Sequence, residues 1–380
     1  MREGWEYKKL GDVCQVVTGS TPKTNISEYW DGNYPWVTPA ELKGDVYISD
    51  TARHITEEAI AHTNLTLLPI GTVLLSSRAP IGKVAITTIE MYCNQGFKNL
   101  ICSDAINNKY LYLWLSGKTE YLNSLGRGAT FKEITRTIVE NVIIPLPPLS
   151  IQKSIVTELD KINELIRLKR EQLKDYDNLA QSIFYEMCGD PVVNEKGWIV
   201  KTIGDVCSLK SGDSKANKSP KGTLPYVKVG DMNLPGNENC ITCSSTYVDR
   251  DYNKRGIFPI GSILFPKRGG AILTNKKRMA AVEICCDLNT MGVIPSEVLN
   301  KHYLFQWFKI LDLGTICSGS TILQLNNCDI APLLIQIPPL TLQQTFAKRI
   351  ELIEQQKAEI QSTIADLETL LASRMQYWFD

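Results

Sequence analysis

The sequence predicts an α+β protein: two homologous globular domains with mainly antiparallel sheets, joined by two long antiparallel coiled-coil helices in a pseudo-twofold arrangement. Three observations carry this expectation. One ordered set of short motifs occurs twice, displaced by about 191 residues along the 380-residue chain. Each copy ends in a long segment whose apolar residues fall at heptad spacing. The runs between are short and β-like, separated by Gly, Pro and Asn turns.

The repeat begins near the start. "LGDVC" at Leu10–Cys14 returns as "IGDVC" at Ile203–Cys207, and Trp5 returns as Trp198, both displaced by 193 residues. "PIGTVLLSSR" from Pro69 returns as "PIGSILFPKR" from Pro259, with five of ten positions identical. "YPWV" at Tyr34 matches "LPYV" at Leu224, "YLYLW" ending at Trp114 matches "YLFQW" ending at Trp307, and "RGAT" at Arg127 matches "SGST" at Ser318. A period this long is a duplicated domain rather than a solenoid repeat. Runs such as "TVLLS", "VAITTI", "SILF" and "NVIIPL" supply the strands, and a helical patch is expected before Trp114 and again before Trp307.

After a double proline in each half, apolar residues step by four then three. The first set is Ile155, Leu159, Ile162, Ile166, Leu173, Tyr176, Ala180 and Ile183; the second is Phe346, Ile350, Ile353, Ile360, Ile364, Leu367 and Leu371. Lys169 and Lys357 each interrupt a seam, a placement that sets register in other coiled coils. A lone helix of this length has nothing local to bury its stripe against, whereas two in one chain have each other; the alternative is that each packs on its own domain. Ser150 and Thr341 are the expected N-caps, with Gln344 completing a capping box on Thr341. The boundaries that follow are 1–148 and 188–340 for the globular domains, and 149–187 and 341–380 for the helices.

Composition narrows the class. There are 41 basic and 41 acidic residues, 43% hydrophobic residues and eleven cysteines. The start "MREGWEYKKL" lacks the apolar core of a secretory signal, and no apolar run reaches membrane-spanning length. A cytoplasmic protein with reduced thiols and no membrane partner is expected. Zero net charge hides local asymmetry: Lys267 to Arg278 holds five basic residues and no acidic one, and Lys210 to Lys228 holds five lysines against Asp213.

Catalytic signatures fail on inspection. "GDSKANKS" at Gly212–Ser219 has Asn217 where a phosphate-binding loop needs its second glycine. "LPPL" and "IPPL" lack the polar and aromatic residues of an amino-methyltransferase motif, and read as rigid lead-ins to a helix. Cys240 and Cys243 with Cys285 and Cys286 have only partial metal-ligand spacing. His54, His62 and His302 share no spacing with a nucleophile. The expectation is therefore no catalytic centre and no metal.

The glycine-containing loops offer basic and amide side chains instead. Candidate DNA contacts are Lys23, Thr24, Arg78, Lys83, Gln95, Lys98, Arg127 and Lys132 in the first half. In the second half they are Lys215, Lys218, Lys228, Lys267, Arg268, Lys276, Lys277 and Arg278. Arg and Lys match guanine edges and phosphates, and amides match adenine. The two halves share a frame up to the arginine of each "PIG" segment and then diverge, as expected if equivalent frames present loops that read different sequences.

With these residues in hand, the chain resembles the specificity subunit of type I restriction–modification systems. The resemblance rests on a Trp followed by "GDV" opening each half, "PIG" with its downstream Arg, and "IPLPPLSIQ" or "IPPLTLQQ" before a long helix. It implies that each globular domain is a target recognition domain reading one half of a bipartite double-stranded DNA site, and that the helices set the spacing and dock two methyltransferase subunits. It further implies that those partners bind S-adenosylmethionine and methylate adenine N6, and that restriction subunits bring ATP and Mg, this chain carrying no catalysis or cofactor itself. Two other readings stay open at this point: a recognition subunit of a system whose methyltransferase and nuclease are fused, and a coiled-coil scaffold that never touches DNA.

Overall fold

The structure is a computed structural model that describes residues 4–78, 80–128, 132–213, 222–250, 256–319 and 322–379. The chain divides into two compact units, residues 1–169 with 363–380, and residues 170–362. Each unit thus holds one globular domain together with part of each long helix.

The same sheets form in both. In the first unit a five-stranded sheet runs Cys14–Thr18, Lys98–Cys102, Val73–Leu75, Val84–Thr87, Tyr47–Ile48; all pairs are antiparallel except the last. In the second unit the order is Cys207–Ser211, Thr290–Pro295, Ile263–Pro266, Arg278–Ala280, Cys240–Ile241, again with only the last pair parallel. A three-stranded and a two-stranded sheet complete each unit.

Strand alternation explains how these sheets are buried on both faces. Val73 and Leu75 point to one core, with Val16 and the helix Asn108–Ser116, while Leu74 points to another beneath the three-stranded sheet. Ile263 and Phe265 face the helix Lys301–Ile310, and Leu264 the opposite core, in the same way. The repeated "PIG" is the turn that launches the central strand. Gly71 and Gly261 take φ of +85° and +89°, a region an L side chain enters at a cost. Thr72 and Ser262 close the turn by donating their hydroxyls to the carbonyls of Pro69 and Pro259, both at 2.6 Å.

The two long helices run Leu149–Cys188 and Leu340–Phe379, each unbroken over 40 residues. Inside the first unit Ile155 and Leu159 share a core with Phe379, and Glu158 meets Arg374 and Trp378. Inside the second unit Phe184 stacks on Tyr303 at 5.5 Å and meets Phe346 edge-on at 5.6 Å, while Asp177 meets Lys357 at 2.8 Å. Within each unit the two helices therefore run antiparallel. Burying a Phe such as Phe184 is worth about 1.5–3 kcal/mol. Lys357 is 4% exposed in its seam, and Asp177 with Glu354 satisfies its ammonium.

The caps differ from expectation. The helices start at Leu149 and Leu340, so Ser150 and Thr341 lie inside the first turn. The Pro148 carbonyl accepts from Ile151 and Gln152, and the Pro339 carbonyl from Leu342 and Gln343, so the second proline of each pair occupies the cap position. The tie between helix and domain is a buried glutamine. Gln152 accepts from the Asn107 backbone N–H at 2.8 Å and donates to the carbonyls of Ala105 and Pro147. Gln343 repeats all three bonds with Asn300, Val298 and Pro338. Among the described residues no helix is long and apolar enough to cross a membrane.

Candidate nucleic-acid interface

In the first unit the predicted loops are bound to one another. A Cβ on Gly19 would lie 2.0 Å from the Asn94 carbonyl oxygen, so only glycine lets the chain pass so close. Ser20 then donates to the Cys93 carbonyl, and Asn94 donates its side-chain amide to the Thr21 hydroxyl at 3.0 Å. The indole N–H groups of Trp36 and Trp30 donate to the carbonyls of Ser20 and Lys23, at 3.1 and 3.3 Å, and Arg53 stacks 3.7 Å above Trp30. This leaves Lys23 and Thr24 exposed on a braced loop.

Arg78 leaves the central strand on a second loop tied to the first. Ser77 donates to the Gly96 carbonyl, beside exposed Gln95, and accepts on its own carbonyl from Ile134. Arg127 and Glu133 exchange two backbone hydrogen bonds, which brings exposed Arg127 and Lys132 to the same rim. Lys83 is half-buried and donates to the Pro39 carbonyl at 3.2 Å. Lys98 differs from the others. It is 5% exposed, donating to the Ser77 hydroxyl at 3.3 Å and to Glu133 at 3.2 Å, so its ammonium supports the Arg78 loop from within rather than facing solvent.

The second unit repeats the frame. Gly212 approaches the Asp287 carbonyl as Gly19 approaches that of Asn94, and Asp213 donates to the Cys286 carbonyl. Arg268 is exposed; Lys267, half-buried beside it, donates to the Ser211 hydroxyl at 2.8 Å. Lys228 is half-buried, at the start of a turn closed by Asp231. Lys276 reaches Asn233, and Arg278 donates to the carbonyls of Met232 and Lys277. Lys277 turns inward: it is 5% exposed and its ammonium donates to the Asn275 side chain and the Leu311 carbonyl. Burial pushes this amine down to about 8. Lys215 and Lys218 lie outside the described residues.

The family model for the type I restriction modification DNA specificity domain matches residues 2–175 and again 195–369. The chain belongs to this family. Two specificity domains thus coincide with the two motif sets read from the sequence. The MjaIX type I restriction enzyme specificity subunit of Methanocaldococcus jannaschii is 33% identical over 91% of this chain and 86% of that protein. The EcoR124I/EcoR124II specificity subunit of Escherichia coli is 28% identical over 47% of this chain and 48% of its own length. Among solved structures, a chain from a type I R-M system aligns with a TM-score of 0.63 over 99% of this chain and 97% of that one, at 20% identity. The type I S subunit from M. genitalium aligns with a TM-score of 0.56 over 99% and 96%, at 13% identity. At such identities these two structures establish the fold.

Within the specificity domains, sequence reasoning overlooked the residues that hold the loops: Trp30, Trp36, Arg53, Asn94 and Glu133. Trp30 and the Trp36 of "YPW" were a signal, because clustered Trp and Tyr next to a glycine-containing basic loop mark a place where donors with rigid bodies are needed. Glu133 carried no such signal, since its partners lie 35 and 55 residues away. The paired cysteines also sort out. Cys285 and Cys286 are adjacent on one strand and enter different cores, as alternation requires.

Proposed function

We propose that each specificity domain reads one half of a bipartite double-stranded DNA site through the loop rim described above. The two long helices set the permitted gap and provide the surface on which two methyltransferase subunits dock. In this reading those subunits bind S-adenosylmethionine and methylate adenine N6, restriction subunits use ATP and Mg, and this chain contributes recognition without chemistry of its own. Exposed Lys23 and Lys132 and half-buried Lys276 suit phosphates, which position a protein on the duplex, while Arg78, Arg127 and Arg268 can present paired donors, and Gln95 a donor with an acceptor, to base edges. The observation that carries the reading is the repeated frame: the same sheet, turn and glycine approach bring a solvent-facing arginine to the same place twice, on loops of different sequence.

The test is duplex binding by the chain assembled with its methyltransferase, with methylated adenines mapped across host DNA by long-read sequencing. Sequence-selective binding that weakens steeply with salt, and a methylated motif split by a fixed gap, are expected. Binding without sequence preference or salt dependence contradicts the reading.

A further inference from the structure

The loop hairpins that carry the two exposed arginines are built alike in their backbones. Ile134 donates to the Ser77 carbonyl at 3.0 Å, and Leu325 donates to the Lys267 carbonyl at 2.9 Å. Glu133 exchanges two backbone bonds with Arg127, and Gln324 exchanges two with Ser318. Both residues also bridge to the arginine itself, Glu133 to Arg78 and Gln324 to Arg268. The duplication therefore pairs Arg78 with Arg268 and Glu133 with Gln324.

The side chain opposite the arginine differs in charge between the two hairpins. Glu133 receives the Arg78 Nε at 3.0 Å on one oxygen and the buried Lys98 ammonium at 3.2 Å on the other. Burial acts to raise its carboxyl, but the hydrogen bonds from Arg78 and Lys98 outweigh this and hold it below the usual carboxylate range, so it is ionised at neutral pH. Gln324 instead donates its amide to Asn326 at 3.0 Å, and among the described residues Arg268 makes no side-chain hydrogen bond or ion pair.

We propose that Glu133 is a positioning residue that makes Arg78 a base reader for the first half-site, whereas Arg268 binds DNA mainly as mobile charge. Glu133 meets Arg78 through Nε, and the two terminal amino groups, which make no hydrogen bond among the described residues, are the pair that spans guanine O6 and N7. Holding the side chain beforehand removes the entropy loss of fixing a long chain on binding. The same carboxylate repels phosphates, so Arg78 gains little by settling on the backbone. Selectivity is raised and general affinity lowered. Among the described residues Arg268 has no such restraint.

This inference rests on the DNA-reading function proposed above, and the test separates the two. The chain assembled with its methyltransferase is titrated with the cognate duplex and with duplexes changed at single positions in either half-site, across a salt series. Glu133→Gln keeps shape and an acceptor for Lys98 while removing the charge. It is expected to cut discrimination at one position of the first half-site by roughly tenfold and to steepen the salt slope by up to about one, with the second half-site unchanged. Arg78→Ala abolishes the same discrimination, and adding Glu133→Gln to it has no further effect on that position. Gln324→Glu shifts the second domain the opposite way, with a shallower salt slope. If the parent complex discriminates but Glu133→Gln leaves both discrimination and slope unchanged, or lowers binding to all duplexes equally, the positioning role is wrong while the function stands. If the parent complex shows no selectivity, the function itself fails.

Discussion

A lysine in a basic cluster serves DNA only if its ammonium can reach solvent, and three adjacent residues here divide on that criterion. Lys276 and Arg278 are half-buried, while Lys277 between them is enclosed and held by Asn275 and Leu311. Sequence shows the cluster but not this division, because it is decided by carbonyls up to 34 residues away. Lys98 was expected to contact DNA, and its burial escaped the sequence for the same reason, its partner Glu133 lying 35 residues away. A titration checks the assignment of Lys277. Its amine falls from 10.5 to about 8 in the folded protein because burial disfavours the charge. Between these values the unfolded chain binds the proton and the native one does not, so this group adds stability as pH rises from about 8 toward 10.5. The Tm of Lys277→Met minus that of the parent is therefore expected to fall over that window. A difference independent of pH would show that the ammonium is solvated, as a DNA contact would be.

At the scale of elements, the two buried glutamines explain why the motif before each helix reads as it does. The prolines stiffen the approach, the carbonyl of the second accepts the capping bonds, and the glutamine four residues after it satisfies three backbone groups. Heptad spacing made both helices and most of their buried seam legible, including Ile155, Leu159, Phe346, Ile350 and the buried Lys357. The seam shifts from Ile183 to fully buried Phe184 at the end of the first helix, because there it meets Tyr303 and Phe346 of its own unit rather than continuing a pure helix pair. The glutamine was not legible as a latch, since its partners come from a distant turn. Gln152→Leu strands the Asn107 N–H and two carbonyls, and is expected to cost about 1–3 kcal/mol in denaturant unfolding. Gln343→Leu should cost the same, and the two losses should add, as for residues that share no partner. A loss below a few tenths of a kcal/mol would mean that water replaces the side chain at no cost.

For the whole molecule, the duplication is the dominant fact. Two specificity domains of one topology, each built around the same turn, glycine approach and glutamine latch, are expected to act independently on DNA. Their helices, by contrast, are proposed to act jointly. Inserting seven residues after Leu173 keeps the heptad phase of the first helix but lengthens only that strand of the proposed spacer. The expected outcome is a changed gap between half-sites or loss of methylation, read by sequencing methylated adenines; an unchanged gap with full activity would count against the helices as a ruler.

The most direct measurement exchanges residues 20–146 for the same region of another specificity subunit of known site and maps the methylated adenines of the hybrid. One half of the motif should be replaced by the donor's, with the other half and the gap retained. A hybrid that folds and methylates but recognises a site altered in both halves, or in neither, would contradict independent reading by two domains.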